Sequence, residues 1–432
     1  MKRLASIMLW SVLAAAFIGP GTVTTAASAG ARFGYALLWA LVFSTVACVV
    51  LQEAAARLTI AGGLDLGQAL RERYPTGVGR AAVLALVLGA VIIGCAAYEA
   101  GNILGGVAGA QLVTDVPQHI WTLALGAVAA VLLWFNSPTR VAQLLALLVA
   151  IMGVAFLWSA YLLRPEIEAL LRGALRPSLP ADSAVLALGL VGTTVVPYNL
   201  FLGSGLASGG KLGETRFGII VAVGLGGLIS MGVLVVGAAL AGTFTFEALT
   251  EILVERLGSW AGPLVPIGLL AAGLSSAVTA PLAAAITARG LFEKEGQRSW
   301  DMRGWRYRSV WAGVLAVGVG FGVSGARPVP VILVAQALNG ILLPVVAIFL
   351  FLAVNDRRQM GARALNGRLA NLLTAGVVAV SVVLGLNGLG KAAARVLDVP
   401  PLADERLLAI SAGLLVILAI PLGRALIRAR KP

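Results

Sequence analysis

Two apolar stretches of this 432-residue chain are interrupted by proline beside small hydroxyl residues. The first reads Gly19-Pro20-Gly21-Thr22, with Thr24 and Thr25 following; the second reads Thr193-Thr194-Val195-Val196-Pro197-Tyr198-Asn199. A proline inside a helix withholds an amide donor and disturbs the preceding turn, so carbonyls and amides are freed around it. In hydrocarbon nothing solvates them, and they must face protein, water or a ligand. One threonine in a membrane helix usually bonds back to its own backbone. Thr22, Thr24, Thr25, Thr193, Thr194, Tyr198 and Asn199 together beside two breaks suggest a binding site instead, completed by Gly19, Gly21 and Val196. None of these side chains is charged. Hydroxyls, one amide and backbone groups can cradle a small solute, but they lack the anionic oxygen, imidazole and sulfur that hold a dehydrated divalent metal, so no metal ligand is assigned.

Ionisable residues inside the apolar blocks are few, and each is a functional candidate because burying a charge is costly. Glu99 stands out, with Asn102 one helical turn later on the same face. Gln336, close to Asn339 and ahead of Pro344, forms a second polar island. Glu53 has Arg57 four residues on, which fits local pairing. Cys48 and Cys95 sit in apolar blocks and read as core filler, while His119, the one histidine, lies beside Pro117 in a polar connection and reads as surface. An enzyme would need paired acids or a His/Cys cluster at depth, and none is present, so catalysis and a resident cofactor are both excluded.

These residues need elements that can hold them in a membrane. The chain is 59% hydrophobic and only 12% charged, about half the charge of an ordinary soluble fold. At roughly 20 apolar residues per crossing, it reads as an all-α polytopic membrane protein, with spans near 8–30, 34–56, 81–104, 119–136, 141–162, 183–206, 217–240, 262–288, 309–325, 329–353, 369–389 and 405–426. The start imitates a cleavable leader, with Lys2, Arg3 and an apolar run from Leu4 to Ile18, but the run resumes after Gly19-Pro20-Gly21 and reads as a retained first span. The net charge of +13 lies in links between apolar blocks, which argues against nucleic acid as a partner and for topology-setting loops in a lipid bilayer. Alternate links place 23 of the 32 Lys and Arg with the N-terminal side, so both termini are expected in the cytoplasm of a cell whose inner membrane holds the chain. Clustered glycines such as Gly224-Leu-Gly-Gly227 signal close helix packing, and no link is long enough for a second domain. Residues 1–432 therefore read as one transmembrane domain.

The breaks fall in spans one and six, at matching places of two five-helix halves, which is the sequence pointer to a midplane site in inverted-repeat transporters. Ordered positions elsewhere strengthen this. Gly30-Ala-Arg-Phe-Gly-Tyr-Ala-Leu-Leu-Trp39, Leu51-Gln52, Ala55-Ala56-Arg57-Leu58, Pro197-x-Asn199-Leu200, Ala271-Ala-Gly-x-Ser275-Ser276, and Gln336 with Pro344 and Asp356-Arg-Arg-x-Met360-Gly361 run through most of the chain. In these the chain resembles the Nramp transporters. The resemblance implies a LeuT-like fold: one inverted repeat over 1–162, the second over 183–353, and two further helices over 369–426. The metal-binding motifs do not carry over. Where metal-transporting members have Asp-Pro-Gly-Asn in span one, this chain has Gly19-Pro20-Gly21-Thr22; where they have Ala-x-x-Met-Pro-His-Asn in span six, it has Thr193-x-x-Val196-Pro197-Tyr198-Asn199. Of the span-three Asp and Glu that line the proton route, Glu99 remains and Asn102 stands in the other place.

A divergent branch with a small inorganic ion as substrate is the resulting expectation. Half-helix N-termini and hydroxyl donors suit a planar anion such as bicarbonate, and this is the leading expectation; Mg²⁺ or Mn²⁺ in a degenerate or hydrated site is the alternative. Coupling would use H⁺ through Glu99, or Na⁺ held by span-one carbonyls with Ser275 or Ser276, as the LeuT-like resemblance implies. Oligomeric state leaves no mark in the sequence.

Overall fold

A computed structural model describes residues 18–135, 139–240, 242–293, 298–396, 402 and 404–430. Regular structure among these residues is entirely helical. In chain order the helices are α1 (Pro20–Phe33), α2 (Leu38–Gly62), α3 (Leu66–Arg73), α4 (Gly77–Leu88), α5 (Gly94–Gln111), α6 (Gln118–Phe135), α7 (Thr139–Leu162), α8 (Ile167–Leu175), α9 (Ala184–Thr194) and α10 (Pro197–Leu206). They continue with α11 (Leu212–Gly237), α12 (Phe246–Leu257), α13 (Leu264–Phe292), α14 (Trp305–Val323), α15 (Pro328–Ala353), α16 (Arg357–Ala364), α17 (Arg368–Val396) and α18 (Asp404–Arg430).

Ten segments among the described residues are long and apolar enough to cross a membrane. Two of the twelve expected spans fall outside that ten. The first half of the span expected at 8–30 lies outside the described residues, leaving the 14 residues of α1. The span expected at 309–325 is α14, a 19-residue helix with Arg306 and Arg308 in its first turn. The third span was expected at 81–104 but runs over Gly77–Gln111, because a π-turn at Gly89–Ile93 joins α4 to α5 without a break. One residue is added to the turn there, a feature common near functional sites.

Burial separates a centre from a periphery. Within its most apolar window, the broken pair α9–α10 is 94% buried, whereas α18 is 6% buried and faces the hydrocarbon. Small residues let the central helices approach. A methyl group on Gly273 of α13 would stand 2.6 Å from the Cα of Gly106 on α5, and one on Gly237 of α11 would stand 2.6 Å from the Cα of Ala27 on α1. Such contacts bring helix backbones close enough for dispersion to replace the missing hydrophobic drive between helices in lipid. His119, expected in a connection, is exposed within the first turn of α6.

Candidate functional site

The second expected interruption forms, and at the first the described residues show a helix beginning on proline, the preceding stretch lying outside the described residues. Gly19 is the extended N-cap of α1, with Pro20 at its first position. Further along, α9 stops at Thr194, Val195 and Val196 leave helical geometry, and α10 restarts at Pro197. The break is thus Val195–Val196; Tyr198 and Asn199, placed in it by the sequence, already belong to the first turn of α10.

Thr22 and Thr193 close the gap between the breaks, their hydroxyl oxygens 2.8 Å apart. Gln336 of α15 lies against the α carbon of Gly21, where any side chain would overlap its amide. Its backbone carbonyl presses on Gly192 of α9 in the same way. Tyr198 packs edge to face on Tyr98 of α5, ring centroids 5.4 Å apart. Glu99 follows Tyr98 in the chain, is fully buried, and has its Cγ 2.6 Å from where a Gly318 methyl would stand on α14. Asn102 reaches one Glu99 oxygen at 3.4 Å, and the other oxygen has no hydrogen-bond partner.

The structure therefore gathers Gly21, Thr22, Thr193, Gln336, Tyr198 and Asn199 around the breaks, with Glu99 and Asn102 on the adjoining helix. Thr194 is spent on its own helix, donating to Leu190 O at 3.0 Å. Ser275 and Ser276 lie buried on α13, where the Ser276 hydroxyl has no partner. Two neighbours were missed as site residues. Gln52 of α2 donates to the backbone carbonyl of Asn199 at 3.2 Å, and its own carbonyl oxygen is unpaired. Tyr98 was overlooked beside Glu99. A glutamine inside an otherwise apolar span was the available signal for the first; the second carried none apart from its neighbour.

Backbone amides at the helix starts are partly spent. Pro20 and Pro197 remove the first amide of each half-helix, Thr22 N and Val23 N both turn back to Gly19 O, and Asn199 N turns back to Val196 O. The N-terminal donors expected to hold an anion are largely absent or consumed. Unpartnered buried groups of both kinds remain: the oxygens of Gln52, Glu99, Asn199 and Gln336, and beside them the hydroxyls of Thr24, Thr25, Tyr98 and Tyr198 with the Asn199 amide nitrogen; α9 directs the negative end of its dipole at the break. Among the described residues, no three of His, Cys, Asp or Glu cluster as a metal cage.

A bundle with two half-helices meeting at a buried polar centre defines a membrane transporter of LeuT-like fold rather than an enzyme. Relatives agree. The family described as natural resistance-associated macrophage protein-like matches residues 11–391, and the chain belongs to this Nramp family. It is 29% identical to the divalent metal cation transporter MntH of Deinococcus radiodurans over 412 residues, 90% of each chain. It is 31% identical to the Yersinia pestis protein of the same name over 300 residues, 65% of this chain and 71% of that one. In fold it matches the manganese transporter of Eremococcus coleocola, with TM-score 0.71 at 20% identity over 99% of this chain and 94% of that one. The nucleobase-cation-symport-1 family transporter Mhp1 in a closed conformation also matches, with TM-score 0.61 at 16% identity, over 98% and 92% of the two chains.

Proposed function

We propose that this secondary transporter carries a divalent metal cation with part of its water shell, by alternating access of spans one and six around the cradle. The observation that carries the reading is the set of unpartnered buried oxygens of Gln52, Glu99, Asn199 and Gln336 around the breaks. Oxygen-only, mostly uncharged ligands suit a hard ion that dehydrates reluctantly, Mg²⁺ before Mn²⁺. The names of the MntH relatives support the same class. Bicarbonate, the leading expectation from sequence, has no support among them, and the Thr22, Val23 and Asn199 amides that donate back to the Gly19 and Val196 carbonyls weaken its physical basis.

Glu99 is the coupling group in this reading. Its carboxyl alternates between a proton and the counter-charge for the ion, since a buried carboxylate oxygen without a cationic neighbour is stable only when one or the other is present. Na⁺ coupling at Ser275 or Ser276 is the rival. The cationic links at 57, 71, 73, 80, 211 and 216 support a cytoplasmic position for this end and both termini, and repeats over 1–162 and 183–353 with a last pair over 369–426 belong to the same reading.

Proteoliposomes assayed for Mg²⁺ and Mn²⁺ influx, and separately for labelled bicarbonate, test the proposal. Metal influx driven by an inward proton gradient is expected. Glu99→Gln should lower it at least tenfold and flatten its pH dependence, while Thr22→Val with Thr193→Val lowers it several-fold. Bicarbonate uptake without metal flux would reverse the substrate assignment, and an unaltered pH profile in Glu99→Gln would transfer coupling to another group.

A further inference from the structure

A groove of about 590 Å³ lies open on the outside of the bundle between α7, α8 and α11, and no residue of α1, α9 or α10 lines it. Its walls are apolar: Leu157 and Ala160 of α7, Leu170 of α8, and Leu228 and Met231 of α11 line it. Two lining residues are polar, Tyr161 and Arg164, and Arg164 carries the one charge. Both belong to the chain leaving α7 for α8.

Two further observations bear on Arg164. Its φ is +45°, the left-handed conformation that normally falls to glycine at the end of a helix. An arginine there is strained, and glycine would fit the backbone better, yet the exposed Arg164 lines the groove. Next to it, α8 exposes Ile167, Leu171 and Leu175 along one stripe, with the exposed Glu168–Arg172 pair at 2.6 Å also on its surface. A short amphipathic helix of this kind lies in the plane of the membrane interface, with its apolar stripe in the acyl region and its charges at headgroup level. Arg164 leads directly into this helix and is exposed.

We propose that this groove binds one anionic phospholipid of the surrounding bilayer, with an acyl chain along Ala160, Leu228 and Met231 and its phosphate on the Arg164 guanidinium. Charge complementarity and the apolar walls commit the site to a lipid rather than to a soluble ligand. A second groove, about 680 Å³, lies on the other side of α8 against Trp39, Val380 and Leu408 and shares Ala174 with the first. It has no charged lining residue, so only ordinary, headgroup-indifferent solvation is expected there. The assignment does not depend on which ion the cradle carries.

Native mass spectrometry of the full chain, released from detergent and titrated with dioleoyl phosphatidylglycerol or dioleoyl phosphatidylcholine, tests it. The wild type should retain one phosphatidylglycerol in preference to phosphatidylcholine. Arg164→Gly, which relieves the backbone strain and so unfolds no earlier in lipid-free detergent, should weaken phosphatidylglycerol binding about fivefold and abolish the preference. Arg164→Lys should keep most of it. Ala160→Phe, which fills the groove without altering charge, should lose the bound lipid. Retention within twofold of wild type in both Arg164→Gly and Ala160→Phe would overturn the proposal. So would displacement of the lipid by equimolar inorganic phosphate, or a dimer that Ala160→Phe dissociates, since a second copy would then cover the groove.

Discussion

The cradle between the broken helices and the clamp where α2, α3 and α16 meet use similar polar side chains to opposite ends. In the clamp nearly every group is matched. Glu53 receives Arg57 at 3.0 Å and Arg216 at 2.7 Å, as its i+4 spacing to Arg57 led one to expect. Arg57 also donates to Ala364 O at 2.7 Å and to Asn366, and Arg73 pairs with Asp356, the N-cap of α16. Gln359 donates to Ala69 O at 2.6 Å, Thr59 and Ser204 share a hydroxyl bond of 2.8 Å, and Arg430 at the end of α18 reaches Asn355. In the cradle the Thr22–Thr193 and Gln52–Asn199 bonds stand among oxygens left without partners. An unmatched buried polar group costs about 1–3 kcal/mol, so a bundle carrying several keeps them only where a ligand or water will meet them. The clamp ties α2, α3 and α16 together; the cradle keeps polar groups unspent.

The largest expected effect separates packing from chemistry within the cradle. Gly192→Ala forces a methyl group into the backbone of Gln336 and Gly340, atoms that cannot rotate away. A loss of about 3 kcal/mol or more is expected, read as a lower unfolding temperature in detergent. Gly224→Ala on α11, where a methyl would meet nothing within 4 Å, should leave that temperature unchanged or higher. Equal behaviour of the two would mean that α9 and α15 are not in contact at the site.

Next in size is the clamp. Arg57 has a 7% exposed side chain, so Arg57→Ala leaves Glu53 with Arg216 alone and strips donors from Ala364 O and Asn366. About 3 kcal/mol should be lost, in the range for breaking a buried pair. Arg172→Ala removes an i,i+4 pair of comparable length whose side chains are 63% and 74% exposed, and should cost no more than about 0.5 kcal/mol. Thermal unfolding of both variants in one detergent decides whether burial, rather than pairing as such, distinguishes the clamp.

Much of the cradle was legible because its signals are chemical: proline inside an apolar run, hydroxyls beside it, a carboxylate at depth. Of the glycine cluster at 224–227, read as a packing signal, Gly227 lies against Thr45 of α2 while Gly224 meets nothing within 4 Å, and the close contacts at Gly106, Gly273 and Gly237 lie outside it. What could not be read was rotation. Spans that are apolar all round carry no period to say which face is inward, so Gln52 and Tyr98 became visible only once α2 and α5 were packed on α10. The direction of hydrogen bonding was hidden too. Two prolines at helix starts were visible in the sequence, but that Thr22 N and Asn199 N fold back on the Gly19 and Val196 carbonyls is a matter of local dihedral angles, and it is this that takes amides away from an anion site. The π-turn at Gly89–Ile93 escaped for the same reason, since an added residue in a turn leaves an apolar run looking continuous.

The smallest effect tests whether the clamp is matched throughout. Asp65 caps α3, accepting from Gln68 N at 2.8 Å while Gln68 Oε1 accepts from Asp65 N at 3.0 Å. Burial nevertheless pushes its carboxyl above the ordinary carboxylate range; the amides of Gln68 and Gly67 and the charges of Arg71 and Arg289 oppose this without cancelling it. A folded state that holds a proton more tightly than the unfolded one is favoured at low pH, so the Asp65 contribution is greatest below the ordinary value of 3.8 and is lost as pH rises through the raised folded value. At neutral pH the ionised group therefore costs stability. Asp65→Asn keeps an oxygen for the Gln68 amide and carries no charge to desolvate. Its unfolding temperature should equal or exceed that of wild type by about 1 °C at neutral pH, and the wild-type fall in stability just above the carboxylate range should flatten. A variant that instead loses stability at neutral pH would show that Arg71 and Arg289 outweigh burial, and Asp65 would then join Glu53 and Asp356 among the fully matched carboxylates of the clamp.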